Sequence, residues 1–165
     1  MKQGTISVLI GVHSPVHSIL VVISWRKLYG KFPELWQIAC IFLHDVGHWG
    51  LNYLDSHDAK KQHWRGGAYI AYWLFGERGY EFVAGHCSSS WYPRNQLYYA
   101  DKHSWYIAPR WWLYWNSFVE PQLNCGMPTR KAVREFQAQV KLSVESGEYR
   151  STHSMYLGRY KERTV

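Results

Sequence analysis

Cysteine is scarce. The chain has three, Cys40, Cys87 and Cys125, odd in number, scattered, and never in a CxxC pair. That argues against a disulfide framework and a zinc finger. It fits a reducing compartment, so a cytoplasmic protein is expected. A long unbroken apolar run is also missing. Residues 6–23 are fairly apolar, but His13, Pro15 and His17 interrupt them and no small-residue cleavage site follows. The stretch makes a poor signal peptide and a poor membrane span, and no membrane partner is expected. Strand patterns are nearly absent, with only Thr5 to Leu9 reading as extended. No repeat, low-complexity tract or linker divides the chain.

What is present is a single globular domain by length and composition: 165 residues, 47% hydrophobic and 19% charged. The domain is expected over residues 1–147, with a basic tail over 148–165. Ten Trp and thirteen Tyr make an unusual aromatic load. Most of these rings are read as core, some as flanks for a planar ligand, and the surplus leaves room for a homo-oligomer. The net charge of +7 favours anionic partners. Nine His in one small domain are more telling.

The fold class is all-α, a compact bundle of five to seven helices. Ser14-Pro15 starts a helix, and Val16, Ile19, Leu20, Ile23 and Leu28 form its apolar stripe, up to Gly30. A second helix is expected from Pro33 to about Val46, with Leu35, Ile38, Ala39, Phe42 and Leu43 inward. Residues 52–56 read as a loop. A third helix, His57 to Phe75, is small on one side (Gly66, Gly67, Ala68, Ala71). Further helices are expected over Tyr80–His86, from near Arg94 to Ile107, and on to Val119. A last one over Arg130–Glu145 is capped by Thr129 and ended by Gly147.

One stretch carries the chemistry: His44-Asp45-Val46-Gly47-His48, directly after the apolar Ile38–Leu43. Ionisable groups buried beside such a run are costly unless paired or bound to a metal. On a helix His44 and Asp45 diverge by about 100°, and His48 lies one turn beyond His44. A zincin-like protease has Glu in place of this Asp as general base. Asp is one methylene shorter, which counts against that reading.

The remaining residues point elsewhere. His17 within Val16-His17-Ser18, the His44-Asp45 doublet, His63 before Gly66-Gly67-Ala68, His86 in Ala84-Gly85-His86-Cys87 and Asp101 in Tyr99-Ala100-Asp101-Lys102 follow in order on expected helices. Over residues 13 to about 108 this resembles the HD-domain superfamily of metal-dependent phosphohydrolases, in its binuclear form. The resemblance implies that His17, His44, Asp45 and Asp101 hold one metal, and that Asp45 bridges to a second held by His63 and His86. A carboxylate can span ions about 4 Å apart. The ions would be two divalent transition metals per chain, Fe, Mn, Co, Ni or Zn, because imidazole does not choose among them.

The same resemblance implies a catalytic role for Asp45 and a substrate-facing, catalytic role for His48. Lys61, Arg65, Arg94, Lys102 and Arg110 are the candidates for phosphate binding. Arg94 is preferred, in the loop after His86. Trp91, Tyr92 and Trp49 are candidates for a stacking wall. His13 reads as a loop histidine that can touch substrate. His57-Asp58 reads as helix-start chemistry, His103 as pointing elsewhere, His153 as exposed, and Cys87 as a small buried residue.

The expected activity is hydrolysis of a small phosphorylated substrate, above all a nucleotide, by metal-activated water; a polynucleotide is not expected. Two alternatives stay open. One is an HD-type di-iron oxygenase cleaving a phosphonate or polyol. The other is a non-catalytic protein that binds a nucleotide or nucleic acid.

Overall fold

A five-residue apolar run has too short a period to separate strand from helix, so packing decides. In the structure, a computed structural model that describes residues 1–52 and 61–150, Thr5–Leu9 is not extended. It lies inside α1 (Gln3–Ile10). Gly4 explains the docking of this helix. A Cβ there would stand 2.0 Å from the His48 carbonyl oxygen, and the Gly4 N–H donates to the Leu51 carbonyl at 2.8 Å.

Pro15 opens α2 (Pro15–Tyr29) behind an extended Ser14. Gly30, left-handed at φ 72°, closes it. The next helix is shorter than expected: α3 spans Leu35–Leu43, started by a Glu34–Gln37 capping box. It stops before the His-Asp doublet, and a single 3₁₀ turn, Val46–His48, follows. Then come α4 (Trp64–Phe75), α5 (Glu77–Ala84), α6 (Gln96–Ile107), α7 (Arg110–Val119), a 3₁₀ turn at Pro121–Asn124, and α8 (Thr129–Glu145). That makes eight α-helices among the described residues, one more than the upper expectation; α1 is the addition. The Asn95 side chain accepts from the N–H groups of Leu97 and Tyr98, which sets the start of α6 after Arg94. Pro128, not Thr129, is the capping position of α8. Residues 52–56, read as a loop, His57-Asp58 at the expected start of the third helix, and His153 in the tail fall largely or wholly outside the described residues.

The helices pack chiefly as α2 along α6 and α4 along α5. Two apolar clusters result. One gathers Trp25, Ile41, Trp64, Phe82 and Leu97; the other gathers Leu20, Trp105, Trp112, Phe136 and Val140. Helix α2 feeds both. Its inward face is His17, Ser18, Leu20, Val21, Ser24 and Trp25, whereas Ile19 and Ile23, expected inward, are 50% and 41% exposed. Turning His17 inward rotates the two isoleucines out, because they stand two and six residues on. On α3 the buried residues are Cys40 and Ile41, while Leu35 and Phe42 face out. Among the described residues no single helix is long and apolar enough to cross a membrane; α1 and α2 reach that measure only as a pair bent by 53°.

Candidate metal centre

The helix break at His44 brings the histidines together. His44 keeps helical angles while Asp45 sits at φ −101°, ψ 1°. His44 and His48 are therefore not stacked on one helix face, as a continuous helix would have them. They converge because the chain turns tightly at Asp45. Two close approaches hold that turn. A Cβ on Gly47 would fall 1.6 Å from the His63 carbonyl oxygen, and one on Gly67 2.2 Å from the Leu43 carbonyl oxygen. Only glycines let the start of α4 lie this close, and His63 arrives with it.

Asp45 is the hub. Its Oδ2 faces His44 Nε2 at 3.1 Å and His17 Nε2 at 3.5 Å. Its Oδ1 faces His63 Nε2 at 3.6 Å, His48 Nε2 at 3.7 Å and His86 Nε2 at 3.8 Å. Asp101, from α6, brings Oδ1 to 3.0 Å from His17 Nε2. His63 Nε2 and His86 Nε2 are 3.1 Å apart. Two nitrogens bound tetrahedrally to one ion at about 2.1 Å stand about 3.4 Å apart. His17, His44, Asp45, His86 and Asp101 are all buried.

Second contacts set the tautomers. His44 Nδ1 lies 2.5 Å from the Ile41 carbonyl, and His86 Nδ1 2.5 Å from the Val83 carbonyl. Both histidines stand just beyond a helix end and use the carbonyl three residues back. A carbonyl only accepts, so Nδ1 carries a proton, and Nε2 is the nitrogen that offers its lone pair once the ring is neutral. The Ser104 hydroxyl donates to the Asp101 carbonyl at 2.6 Å, which lets it accept from His17 Nδ1 at 3.4 Å. Such second contacts orient metal-binding histidines. His44 Nε2 is buried, and Asp45 Oδ2 faces it at 3.1 Å without a well-directed hydrogen bond. Imidazole and carboxylate donors gathered this way could hold a metal ion. Three groups, His17–His44–Asp101, His44–Asp45–His86 and His13–Asp45–His48, keep their ligand atoms within 4.8 Å of one another.

The electrostatics follow. Burial opposes the charge on Asp45, but His44 and His13 hold its carboxyl well below the usual range. Burial likewise opposes charge on Asp101, and Lys102, then His17, outweigh it. For His44, burial favours the neutral form, yet the Asp45 carboxylate pushes its pKa up to about 9. His86 goes the other way: burial, then His44 and His63, press it well below the ordinary value.

The phosphate-binding candidates divide. Lys102 is buried with its Nζ 2.5 Å from Asp101 Oδ2, so it belongs to the cluster. Arg65 lays its guanidinium over Trp64 and Arg94 over Tyr98. Lys61, Arg110, Trp49 and Trp91 are exposed. Tyr92 is no free stacking wall; it packs edge-on against Trp64 and Tyr80. Cys87 is only half-buried, against Ser89. His103 faces α2 instead, at 3.1 Å from Ser24 Oγ.

The sequence gives too small a part to His13 and does not point to Ser7, 2.6 Å from His13, or to Glu120, which accepts from Ser7 at 3.0 Å. His13 stacks on His48 with centroids 3.8 Å apart, and His48 stacks on His63 at 4.1 Å. The spacing of His13 and His17, four residues, was the available signal. No local pattern links Glu120 to the motif. Compared with protein-family models, curated proteins and solved structures, the chain matches none.

Proposed function

We propose that this chain is a metal-dependent phosphohydrolase of the HD-domain type, acting on a small phosphorylated molecule of the nucleotide class. The observation that carries the reading is the division of histidines between the two oxygens of Asp45. His17 and His44 lie on the Oδ2 side, His63 and His86 on the Oδ1 side. A carboxylate so placed suits a bridge between two ions. His17, His44 and Asp101 would complete one site, His63 and His86 the other.

Such ions would lower the pKa of a water and draw charge from the phosphoryl oxygens. The residues of the chain do the rest. Asp45 keeps its charge inside the protein because histidines surround it. Lys102 neutralises Asp101 inside the cluster. His48, on the Oδ1 side but not assigned to either ion, is the residue that faces substrate. The exposed Arg94 and Trp91, beyond His86, suit the outer parts of a nucleotide.

The test is a phosphate-release screen across nucleoside mono-, di- and triphosphates, dinucleoside polyphosphates and cyclic nucleotides, with metal analysis of the same preparation. Release under strict anaerobic conditions supports hydrolysis. Turnover of a phosphonate or polyol that requires O₂ would replace this reading with the oxygenase one. Salt-sensitive nucleotide binding without turnover would replace it with the non-catalytic one.

A further inference from the structure

Glu120 is a buried carboxylate, 2% exposed, at the end of α7. Its Oε1 accepts the Val12 N–H at 2.7 Å and the Ser7 hydroxyl at 3.0 Å. Gly11 makes the room: a Cβ there would fall 2.0 Å from Oε1. Three distant segments, α1, the α1–α2 loop and the end of α7, are thus shaped around one carboxylate. Two donors on one enclosed carboxyl oxygen fix the direction of the Ser7 hydroxyl.

Ser7 has one hydroxyl proton. Glu120 Oε1 accepts from both the Val12 N–H and Ser7, so that proton goes to Glu120. Ser7 Oγ also lies 2.6 Å from His13 Nδ1. With its proton committed, the hydroxyl accepts there, and His13 carries its proton on Nδ1. In the neutral imidazole the lone pair is then left on Nε2. The chain Glu120–Ser7–His13 thus does for His13 what Ile41, Val83 and Ser104 do for His44, His86 and His17.

His13 is nonetheless unsuited as a co-ligand of His48. Their rings are 24° from parallel at 3.8 Å, and parallel rings do not send lone pairs to one point. A nitrogen of His13 lies within 4.8 Å of both an Asp45 oxygen and a His48 nitrogen. One water bonded at about 2.8 Å to each of two groups spans up to about 5.6 Å.

We propose that His13 is a further catalytic residue, which accepts a hydrogen bond from the attacking water through Nε2 and aims its oxygen at phosphorus, and that Glu120, acting through Ser7, is its positioning residue. The water-orienting part rests on the phosphohydrolase reading; the relay does not.

Two readouts separate them. Long-range ¹H–¹⁵N spectra of the ¹⁵N-labelled metal-free protein, recorded at a pH where His13 is neutral and with His13 assigned by its loss in His13→Gln, give its tautomer without substrate. The Nδ1–H form is expected in wild type and its loss in Ser7→Ala. A wild-type His13 in the Nε2–H form overturns the relay, even if Ser7→Ala does not fold. In phosphate release, His13→Gln should lower kcat on the order of 100-fold, and Ser7→Ala about 10-fold, with KM little changed. An unchanged kcat in His13→Gln, or a loss confined to thermal stability, overturns the catalytic role. If wild type hydrolyses no phosphoester, that role falls with the function, and the tautomer still decides the relay.

Discussion

Gly47 and His63 meet backbone to backbone: a Cβ on Gly47 would stand 1.6 Å from the His63 carbonyl oxygen. The turn that carries Asp45 and the segment that carries His63 are therefore set against each other by a missing side chain. In Gly47→Ala the two must part, which costs about 2 kcal/mol as overpacking. The expected result is a lower melting temperature together with selective loss of the ion on the His63–His86 side. Thermal denaturation and metal analysis of the same variant read both.

The metal-free protein should be most stable near pH 6.5. Both buried histidines start from an ordinary value of 6.5 and move in opposite directions. His44 has a raised folded pKa, so its contribution is full below 6.5 and is lost as pH climbs through about 9. His86 has a lowered one, so its contribution is full above 6.5 and is lost as pH falls. Asp45 and Asp101, both depressed, add a further loss in acid, below their ordinary 3.8. Melting curves in chelator from pH 4 to pH 10 check this; a steady rise to pH 9 would contradict it.

Metal uptake at neutral pH should release protons, because His44 must give up the one that Asp45 holds on it. Calorimetry of metal binding in buffers of different ionisation enthalpy should report a net release. In His44→Ala that release should shrink along with the affinity.

On α3 the inward residues are Cys40 and Ile41. Ile41→Ala should cost about 2–5 kcal/mol, while Leu35→Ala, at an 86% exposed position, should stay within about 0.5 kcal/mol. Denaturant titration of the two variants checks the orientation of the helix.

The all-α class and most helix ends were legible because proline and glycine mark them locally. The side facing inward was not. On α2 and α3 the apolar residues are spread round the helix, and the face is chosen by His17 and by the break at His44, not by hydrophobicity. The cluster of His17, His44, Asp45, His63, His86 and Asp101 could be read in order along the chain. The grouping of the histidines about Asp45 could not, since it depends on a turn held by Gly47 and Gly67. Glu120 lies 107 residues beyond His13, and only the packing around Gly11 joins them.

Metal content per chain is the most direct measurement of the proposed two-ion centre. Wild-type protein is expected to hold two divalent transition ions, His63→Ala about one, and the double variant His44→Ala, Asp45→Ala none. Unchanged metal content in the double variant, or two ions retained in His63→Ala, would contradict the proposed two-ion site.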